Sequence, residues 1–537
     1  MGLYHIAKDT YFDTSSDSLF QFEMYNAMLG NAGEQTLPLT LPPTPKNMRL
    51  VEWGNRMDAS YKPIADISVI VMDGVFIIPA NLSIDTCDED DGIVCTLYLG
   101  TGEFYSRVGE TKVAALTWPV YQAPEGGTLE TNVEYLIDIL KTSDPGNIFV
   151  VCPVLTTHEY VQRIVRNPWY PVPTDENVDS ILILNWYEQY QHYLDLETGG
   201  DILTLHQGEF TQQIVEDGSI INIGKGYGMT PFIKLSYALN NIFESYGYSF
   251  DFDNIKDVLN EASGMFIMNN VADAIYSGVL RFAQLLPDMT IKNFIAELEK
   301  WFCGKFIFSS LTNKVIFHFF KDTENHTPTN LTSYVIGKSK IQSFNFTKKV
   351  LNINDSYKNV NDEDVEVIDF VFPDKKRVDA EFMWDGVGSK GYTTYRFEML
   401  QVESIVHKNS SVSDDDQSGE SDTSTELQLG YYSGTIISAD PSTVGYATSN
   451  PLFVTMDSTR AAINSIYARY LTFLSSSNIP FIIPIRIPPH IILGIDLYKP
   501  IFINNQRLLI EKIQFSLNED EEQTITVRSL RTLLDRP

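Results

Sequence analysis

The pattern of apolar and polar positions predicts strands from about residue 65 onward. Residues 67–72 and 75–84 are apolar-rich runs, and Asp73-Gly74, a strong signal for a tight hairpin turn, lies between them. A third run, 93–99, follows an acidic connection. We expect this region to begin a β-barrel or a β-sandwich.

The clearest predicted helix spans residues 230–247. Its apolar residues recur at spacings of three and four, which places them on one face of a helix. Thr230 suits the N-cap position, Pro231 suits the first turn, and Gly247 suits a left-handed stop. The sequence therefore predicts a helix with well-defined ends at the start of the middle third.

A second helix with the same spacing follows Thr290 and ends at Gly304. Two short apolar runs come next, 305–308 and 315–320, and polar turn residues separate them. A helix followed by a hairpin is a compact unit, so residues 288–320 are predicted to form an α+β module.

From residue 343 the pattern returns to strands. The end of the chain predicts a series of them at 480–487, 498–503, 507–516 and 524–530. The chain thus reads as a β-rich region, a helical middle and a second β-rich region. We expect an α+β fold that is mainly β.

Two segments of unusual composition help to divide the chain. Residues 37–45 hold four prolines in nine positions, which predicts an extended arm. Residues 408–426 are rich in acid and serine, which predicts a solvated loop. The predicted units are an extended Pro-rich arm at 1–64, a first β domain with an insertion at 65–229, a helical and helix-hairpin module at 230–344, and a second β domain with the acidic loop at 345–537.

The charge of the chain limits its partners. It has 537 residues, with 39 basic and 70 acidic side chains and a net charge of −31. A field of that sign repels nucleic acid and anionic membranes, so we do not expect a conventional DNA- or RNA-binding protein. Hydrophobic residues make up 43% of the chain, enough to bury several cores.

The sequence gives no sign of export or of a membrane span. Residues 1–10 lack a basic region followed by an apolar run, and the most apolar stretch, 480–497, is interrupted by prolines and charge. The cysteines lack metal-site spacing, so we expect free thiols in a reducing cytosol. They are Cys87, Cys95, Cys152 and Cys303.

No candidate catalytic, cofactor or metal site stands out, and we expect no enzyme activity and no cofactor. The histidines form no HxH or HExxH pair. They are His5, His158, His192, His206, His318, His326, His407 and His490. The run from Gly224 to Gly228 has neither the P-loop nor the dinucleotide-loop spacing, so we interpret it as a connector.

One acidic run is similar to the first half of a calcium loop. Asp414, Asp416, Ser418 and Gly419 match positions 1, 3, 5 and 6, but the position of the bidentate glutamate holds Thr425. A plain acidic loop is the preferred interpretation, and calcium binding by Asp414 and Asp416 stays open.

Several segments together resemble a tail or baseplate hub protein of bacteriophages, in the form found in phages and prophages of Bacteroidetes-type bacteria. The match is one of pattern across residues 37–530 and leaves 119–200 and 408–426 unexplained. The segments that carry it are LPLTLPPTPKN, ISVIVMDGVFIIPANLSI, VCTLYLGTGEFYSRVGETKVAALTW, MTPFIKLSYALNNIFESYGYSF, LPDMTIKNFIAELEKWFCGKFIFSSLTNKVIFHF and IDLYKPIFINNQRLLIEKIQFSLNEDEEQTITVRSL.

The resemblance implies a structural role in the virion tail, after synthesis in the bacterial host cytoplasm. It implies two tail-hub-type β-barrels per chain, at 65–229 and 345–537, and a ring of three chains with pseudo-sixfold symmetry. That ring would join the tail tube to a tip, spike or fibre protein and leave a channel through which genomic DNA passes without specific binding. The acidic side chains either line this channel or keep the outer surface soluble.

Two other classes of function remain open at this stage. A glycan- or receptor-binding tail protein would expose aromatic platforms on an isolated domain. A cell-wall hydrolase would hold two carboxylates about 5–10 Å apart in a cleft. The sequence favours the structural hub because most aromatic residues fall at core spacing.

Overall fold

A computed structural model of the chain describes residues 2–530 with gaps. Its strands and helices are those of a mainly β protein with a helical minority. Residues outside the description are 1, 15–20, 27, 30–33, 37–38, 53–65, 74–75, 125, 142–147, 153, 158–180, 186–189, 194–201, 206–211, 217–218, 224, 251–264, 310–311, 324, 342–347, 354–364, 371–374, 387–388, 401, 403–405, 410–426, 432–434, 437–445, 448–466, 474–478, 493, 517–522 and 531–537.

The strands follow one another along the whole described chain. The first half holds β1 Gly2–His5, β2 Thr10–Tyr11, β3 Gln21–Tyr25, β4 Glu34–Thr36, β5 Leu39–Leu41, β6 Asp66–Asp73, β7 Phe76–Asp88, β8 Gly92–Leu99, β9 Val120–Tyr121, β10 Phe149–Val150, β11 Val154–Thr157, β12 Ile181–Leu184, β13 Tyr190–Tyr193, β14 Ile202–Leu205, β15 Gln212–Glu216, β16 Ser219–Ile223, β17 Phe232–Lys234, β18 Ser249–Phe250 and β19 Met265–Ile267. The second half holds β20 Leu280–Arg281, β21 Gly304–Ser309, β22 Lys314–Phe319, β23 Thr329–Asn330, β24 Lys340–Ile341, β25 Lys348–Ile353, β26 Val365–Phe370, β27 Lys375–Gly386, β28 Ser389–Leu400, β29 Leu429–Tyr431, β30 Thr435–Ile436, β31 Tyr446–Ala447, β32 Phe481–Ile485, β33 Ile501–Ile503, β34 Gln506–Ser516 and β35 Gln523–Ser529.

The helices are short and lie mainly between the two ends of the chain. They are α1 Pro45–Leu50, α2 Gly100–Val108, α3 Leu129–Lys141, α4 Leu235–Ser245, α5 Ile291–Phe302, α6 Phe320–Thr323 and α7 Pro489–Ile492. Residues 467–473 are also helical.

One sheet of fourteen strands joins the two ends of the chain. Its main path runs β2-β1-β6-β7-β8-β4-β3-β34-β35-β32-β24, while β5, β23 and β33 pair off this path. The path enters the C-terminal strands where β3 pairs antiparallel with β34. The sheet is open, with the shape of a half-barrel, and its apolar inner face forms a core shared by strands about 500 residues apart in sequence.

The junction between β3 and β34 is held by packing, charge and hydrogen bonds. Phe22 stacks on Phe515 with ring centroids 5.4 Å apart. Glu23 forms an ion pair of 2.6 Å with Lys512 on the neighbouring strand. Directly after β3, the buried side chain of Asn26 donates to the carbonyl oxygens of Leu497 and Ile510, which ties the N-terminal strands to the C-terminal ones.

The predicted strands of the first β region are confirmed. Strands β6 and β7 pair antiparallel around residues 74–75, as the Asp73-Gly74 signal predicts, and β8 continues the meander. Within β6 the side chains of Val69 and Val71 are buried, because successive strand residues face opposite sides of the sheet.

A second core lies around the helices. It packs α2, α3, α4 and α5 with the hairpin β21–β22, and it contains most of the fully buried phenylalanines. Phe104 of α2 stacks on Phe308 of β21 with centroids 3.8 Å apart. This core confirms the predicted helix-and-hairpin module at 288–320.

Both ends of α5 are defined by local capping interactions. The Thr290 hydroxyl accepts a hydrogen bond from the Asn293 N–H, which caps the first turn. Cys303 takes a left-handed conformation at the C-terminus, one residue before the predicted stop at Gly304. Gly304 instead opens β21, where a Cβ atom would lie 2.3 Å from the ring of Phe317.

Two local predictions are wrong. The helix predicted from Thr230 begins at Leu235, because Phe232–Lys234 pairs as β17 with β10 and β19. After the strand at 93–99 the glycines of the sequence predict only a short connection, but residues 100–108 form α2. In both cases long-range packing overrides the local preference.

The predicted fold class is confirmed at the level of a mainly β protein with α+β parts. Strands from all four predicted units contribute to the same large sheet, namely β1–β5, β6–β8, β23 with β24, and β32–β35. The described part of the predicted arm packs on its own chain. The boundaries at 64, 229 and 344 stay predictions.

Candidate self-association site

The main path of the large sheet ends in two strands that each have a neighbour on one side only. Strand β2 pairs with β1, and β24 pairs with β32. Among the described residues, no strand pairs with the outer side of either. Unpaired strand edges are templates for the addition of another strand, so both ends are candidate interaction sites.

The outer face beside β2 carries a continuous set of apolar side chains. Across the first four strands the register places Tyr11, Tyr4, Ile70 and Pro79 in one row. In the next row Met72 and Ile77 lie beside Gly2. We call strand β2 and this set the tyrosine edge: Tyr4, Tyr11, Ile70, Met72, Ile77 and Pro79.

Contacts within the tyrosine edge fix the position of Tyr11. Its ring packs edge-on against Tyr4, with centroids 5.1 Å apart, and its hydroxyl donates to the sulfur of Met72 at 3.4 Å. A Cβ atom on Gly2 would lie 3.2 Å from the Tyr11 ring, so glycine lets the ring lie flat against β1. Tyr11 is 47% exposed and Ile77 is 59% exposed. These apolar groups are therefore ordered and still accessible.

The turn before β2 adds charge to this edge. The Tyr4 hydroxyl donates to the Asp9 carboxylate, and that hydrogen bond raises the pKa of Tyr4. Lys8 forms an ion pair of 3.2 Å with Glu52. Asp9 is thus the acid that directly precedes β2, and the charge of its neighbour Lys8 is balanced by Glu52.

The opposite end of the sheet has a different character. Lys338 and Lys340 are both exposed, and residues 332–341 contain no acid. Ile341 pairs with Phe481 of β32, and Ile336 donates its N–H to Pro484 of the same strand. We call β24 and its surroundings the lysine edge: Ile336, Lys338, Lys340, Ile341 and Ile479.

Exposed apolar side chains concentrate at these two ends. Of nine large hydrophobic residues that are exposed in the described part of the chain, six lie at or beside the edges. They are Ile6, Tyr11 and Ile77 at one end and Ile336, Ile341 and Ile479 at the other. Single exposed hydrophobic residues are ordinary, but clusters of them mark interaction surfaces.

One buried carboxylate in the helical core has structural partners. Glu299 is 5% exposed, and its carboxylate accepts from the Lys305 ammonium at 2.6 Å and from the Phe306 N–H at 3.0 Å. Burial raises the pKa of Glu299, while Lys305 opposes that shift. The arrangement anchors the start of β21 to α5.

A second polar group joins distant loops. The Tyr227 hydroxyl lies 2.8 Å from Nε2 of His407. Next to it, the fully buried Asp273 accepts the backbone N–H groups of Lys408 and Asn409, each at 2.7 Å. These bonds hold residues 406–409, which include the start of the predicted acidic loop, against the core.

Among the described residues, the candidate sites weighed in the sequence are not brought together. Lys225, in the glycine-rich run, forms ion pairs with Glu134 at 2.7 Å and Glu130 at 3.5 Å. The four cysteines are thiols and form no disulfide, and burial raises the pKa of Cys95 and of Cys303 to about 12. His158, His206, Gly224 and residues 414–419 lie outside the described residues.

No group of three or more metal-ligating side chains occurs within the described ranges. His318 lies in β22 as predicted, stacks on His326, and accepts or donates a hydrogen bond of 3.1 Å with Thr323. No helix in the described part of the chain is long and apolar enough to cross a membrane.

Sequence reasoning missed the residues of both edges. A signal for the tyrosine edge was present, because residues 67–72 are apolar at outward positions 70 and 72 as well as at the inward ones. A strand that is apolar on both faces is typical of one covered on both sides. The lysine edge had no such signal, since β24 is only two residues long.

The histidine beside the tyrosine edge predicts a pH dependence. His5 is 4% exposed, stacks on Phe12, and neither ring nitrogen has a hydrogen-bond partner among the described residues. Burial, followed by nearby Lys8, lowers the pKa of His5. The folded protein therefore binds a proton at His5 less readily than the unfolded chain does. The free energy of unfolding is highest above the pKa of His5 in the unfolded chain, and it decreases as the pH falls toward the lower pKa of His5 in the folded protein.

We expect His5→Phe to reduce the loss of stability between about pH 7.5 and about pH 5.5, measured by urea unfolding. Ile316→Ala, which changes an exposed side chain that carries no titratable group, serves as the control and should leave that difference unchanged. An equal pH dependence in wild type and His5→Phe would show that His5 is not a source of it.

The sequence matches no protein-family model, and it has no significant match among curated proteins.

Proposed function

We propose that the chain is a structural component of a phage tail, a hub subunit that assembles with copies of itself into a ring between the tail tube and the tip. The observation that carries self-association is the concentration of exposed apolar residues at the two unpaired ends of one sheet. The location in a phage tail is proposed because the sequence segments resemble those of tail or baseplate hub proteins.

The architecture suits such a role because a hub needs large permanent surfaces on a rigid body. Obligate interfaces bury about 2,000–5,000 Å² and are more apolar than ordinary surface. Here the strands of both chain ends form one sheet over a continuous core, so its two edges are fixed relative to each other. In this proposal the two predicted tail-hub-type barrels both include strands of the large sheet, which lies between them.

The net charge of −31 fits a ring through which DNA passes. Acidic side chains on the channel wall would repel the phosphate backbone and prevent DNA from sticking. A channel wall that is neutral or basic would remove this part of the proposal and assign the charge to the outer surface.

Sedimentation velocity of the purified full chain tests the function. We expect a closed assembly of three chains that persists on dilution, because permanent interfaces do not dissociate at working concentrations. Cell-wall material and glycans are added in parallel. A chain that stays monomeric and cleaves or binds these polymers would support the hydrolase or receptor-binding alternative and contradict the hub.

A further inference from the structure

We infer that the tyrosine edge of one copy receives the lysine edge of the next copy, so that the large sheet continues from chain to chain. The inference rests on the proposed function and names the surface through which the ring closes. Four observations lead to it: the unpaired edges, the backbone at β2, the exposed apolar residues and the distribution of charge.

The backbone at the tyrosine edge has hydrogen-bonding groups directed away from the sheet. Phe12 donates its N–H to the Leu3 carbonyl at 2.8 Å, which marks a hydrogen-bonded position in the pairing of β2 with β1. Hydrogen-bonding positions alternate along an antiparallel strand. The N–H and C=O of Tyr11 therefore point to the free side, where a further strand can pair with them.

The two edges complement each other in apolar surface. Tyr11 is 47% exposed at one end, and Ile336 and Ile341 are 51% and 46% exposed at the other. An edge strand that pairs through its backbone also brings the side chains of its outer face beside those of its neighbour. Joining the two edges thus covers apolar groups of both.

Charge favours this pairing over the pairing of two lysine edges. The lysine edge carries Lys338 and Lys340 without an acid, in a chain with 31 more acids than bases. Two lysine edges placed together would oppose like charges, which destabilises a cross-strand pair. Against the tyrosine edge, the lysines meet Asp9 and the largely acidic surface of the next copy.

A contact between two different surfaces of identical chains is heterologous. Such a contact produces a ring when the rotation between neighbours closes, and an open filament when it does not. Lysine is also the residue that commonly protects an exposed edge from promiscuous pairing. Its presence on β24 therefore restricts that edge to an acidic partner, and copies of this chain supply one.

Charge reversal tests the pairing. In the full chain, Lys338→Glu combined with Lys340→Glu should weaken assembly about tenfold or more in sedimentation velocity, because attraction becomes repulsion across the contact. Lys314→Glu, at an exposed lysine on β22, is the matched control and should assemble like wild type. Adding Asp9→Lys to the doubly reversed variant should restore part of the assembly.

An apolar substitution gives an independent measurement. Ile341→Asp should reduce assembly, whereas Ile316→Asp should not, although the two isoleucines are 46% and 48% exposed. The substituted lysine and isoleucine side chains are exposed, so those variants should keep the thermal unfolding of wild type. Thermal unfolding of every variant is measured alongside.

The outcomes separate the inference from the function. The inference is supported if wild type and the control variants assemble and the edge variants do not. Assembly of the edge variants at wild-type strength overturns it and leaves the hub proposal standing. A wild-type chain that stays monomeric at high concentration overturns both.

Discussion

Phe104→Ala is expected to destabilise the protein by about 4 kcal/mol, since replacing a buried phenylalanine with alanine removes apolar contacts and leaves a cavity. Phe104 is fully buried on α2 at the centre of the helical core. Its ring stacks on Phe308 and meets the edges of Phe243, Tyr246 and Tyr248. The loss therefore affects α2, α4 and the hairpin together.

Urea unfolding followed by tryptophan fluorescence measures this effect, because Trp118 and Trp301 belong to the same core. Phe104→Leu retains most of the apolar volume and should cost about 1–1.5 kcal/mol. Ile316→Ala, on an exposed side chain, should cost less than about 1 kcal/mol. A loss below about 1 kcal/mol for Phe104→Ala would contradict the packing of α2 against β21.

Asn26→Ala is expected to destabilise the protein by about 3 kcal/mol, because buried hydrogen-bonding groups lose their partner. The Asn26 amide donates to the carbonyls of Leu497 at 2.8 Å and Ile510 at 2.9 Å. Its side-chain oxygen accepts the N–H of Met28 at 3.0 Å. The substitution leaves three backbone groups unsatisfied at the junction between the N-terminal and C-terminal strands.

Asn241→Ala is the matched control for this prediction. Its amide donates one hydrogen bond, to the Thr117 carbonyl at 3.2 Å, near the surface, so it should cost less than about 1 kcal/mol. Hydrogen exchange should show faster opening of β3 and β34 in Asn26→Ala. Equal stability of the two variants would mean that Asn26 does not hold the chain ends together.

Elements with strong local signals could be predicted from the sequence. The pairing of β6 with β7 follows from the turn signal and from alternation on both sides of it. Helix α5 follows from the Thr290 cap and a regular apolar stripe. The turn between β33 and β34 follows from Asn504 and Asn505, both of which adopt positive φ angles.

Elements determined by distant partners could not be predicted in this way. Helix α2 contains Gly100 and Gly102, which disfavour a helix locally, but Phe104 and Val108 are buried against the core. Phe232–Lys234 is a strand because β10 and β19 lie on either side of it. Similarly, nothing near Phe22 in the sequence indicates that its partner is Phe515.

The candidate site was the least predictable part. Its residues come from separate segments, and the property that unites them, exposure at the ends of one sheet, exists only after β3 has paired with β34. A sequence motif can be recognised only when its side chains lie close together in the sequence, on one helix, strand or loop. Tyr11 and Lys340 belong to strands of two residues each and form no motif.

A density map of the assembled full chain, resolved to individual strands, shows whether the large sheet continues from copy to copy. We expect a closed threefold ring in which β2 of each copy lies beside β24 of the next, around an open acidic channel. A map in which both strands remain uncovered, with the copies joined through other surfaces or not joined at all, would contradict it.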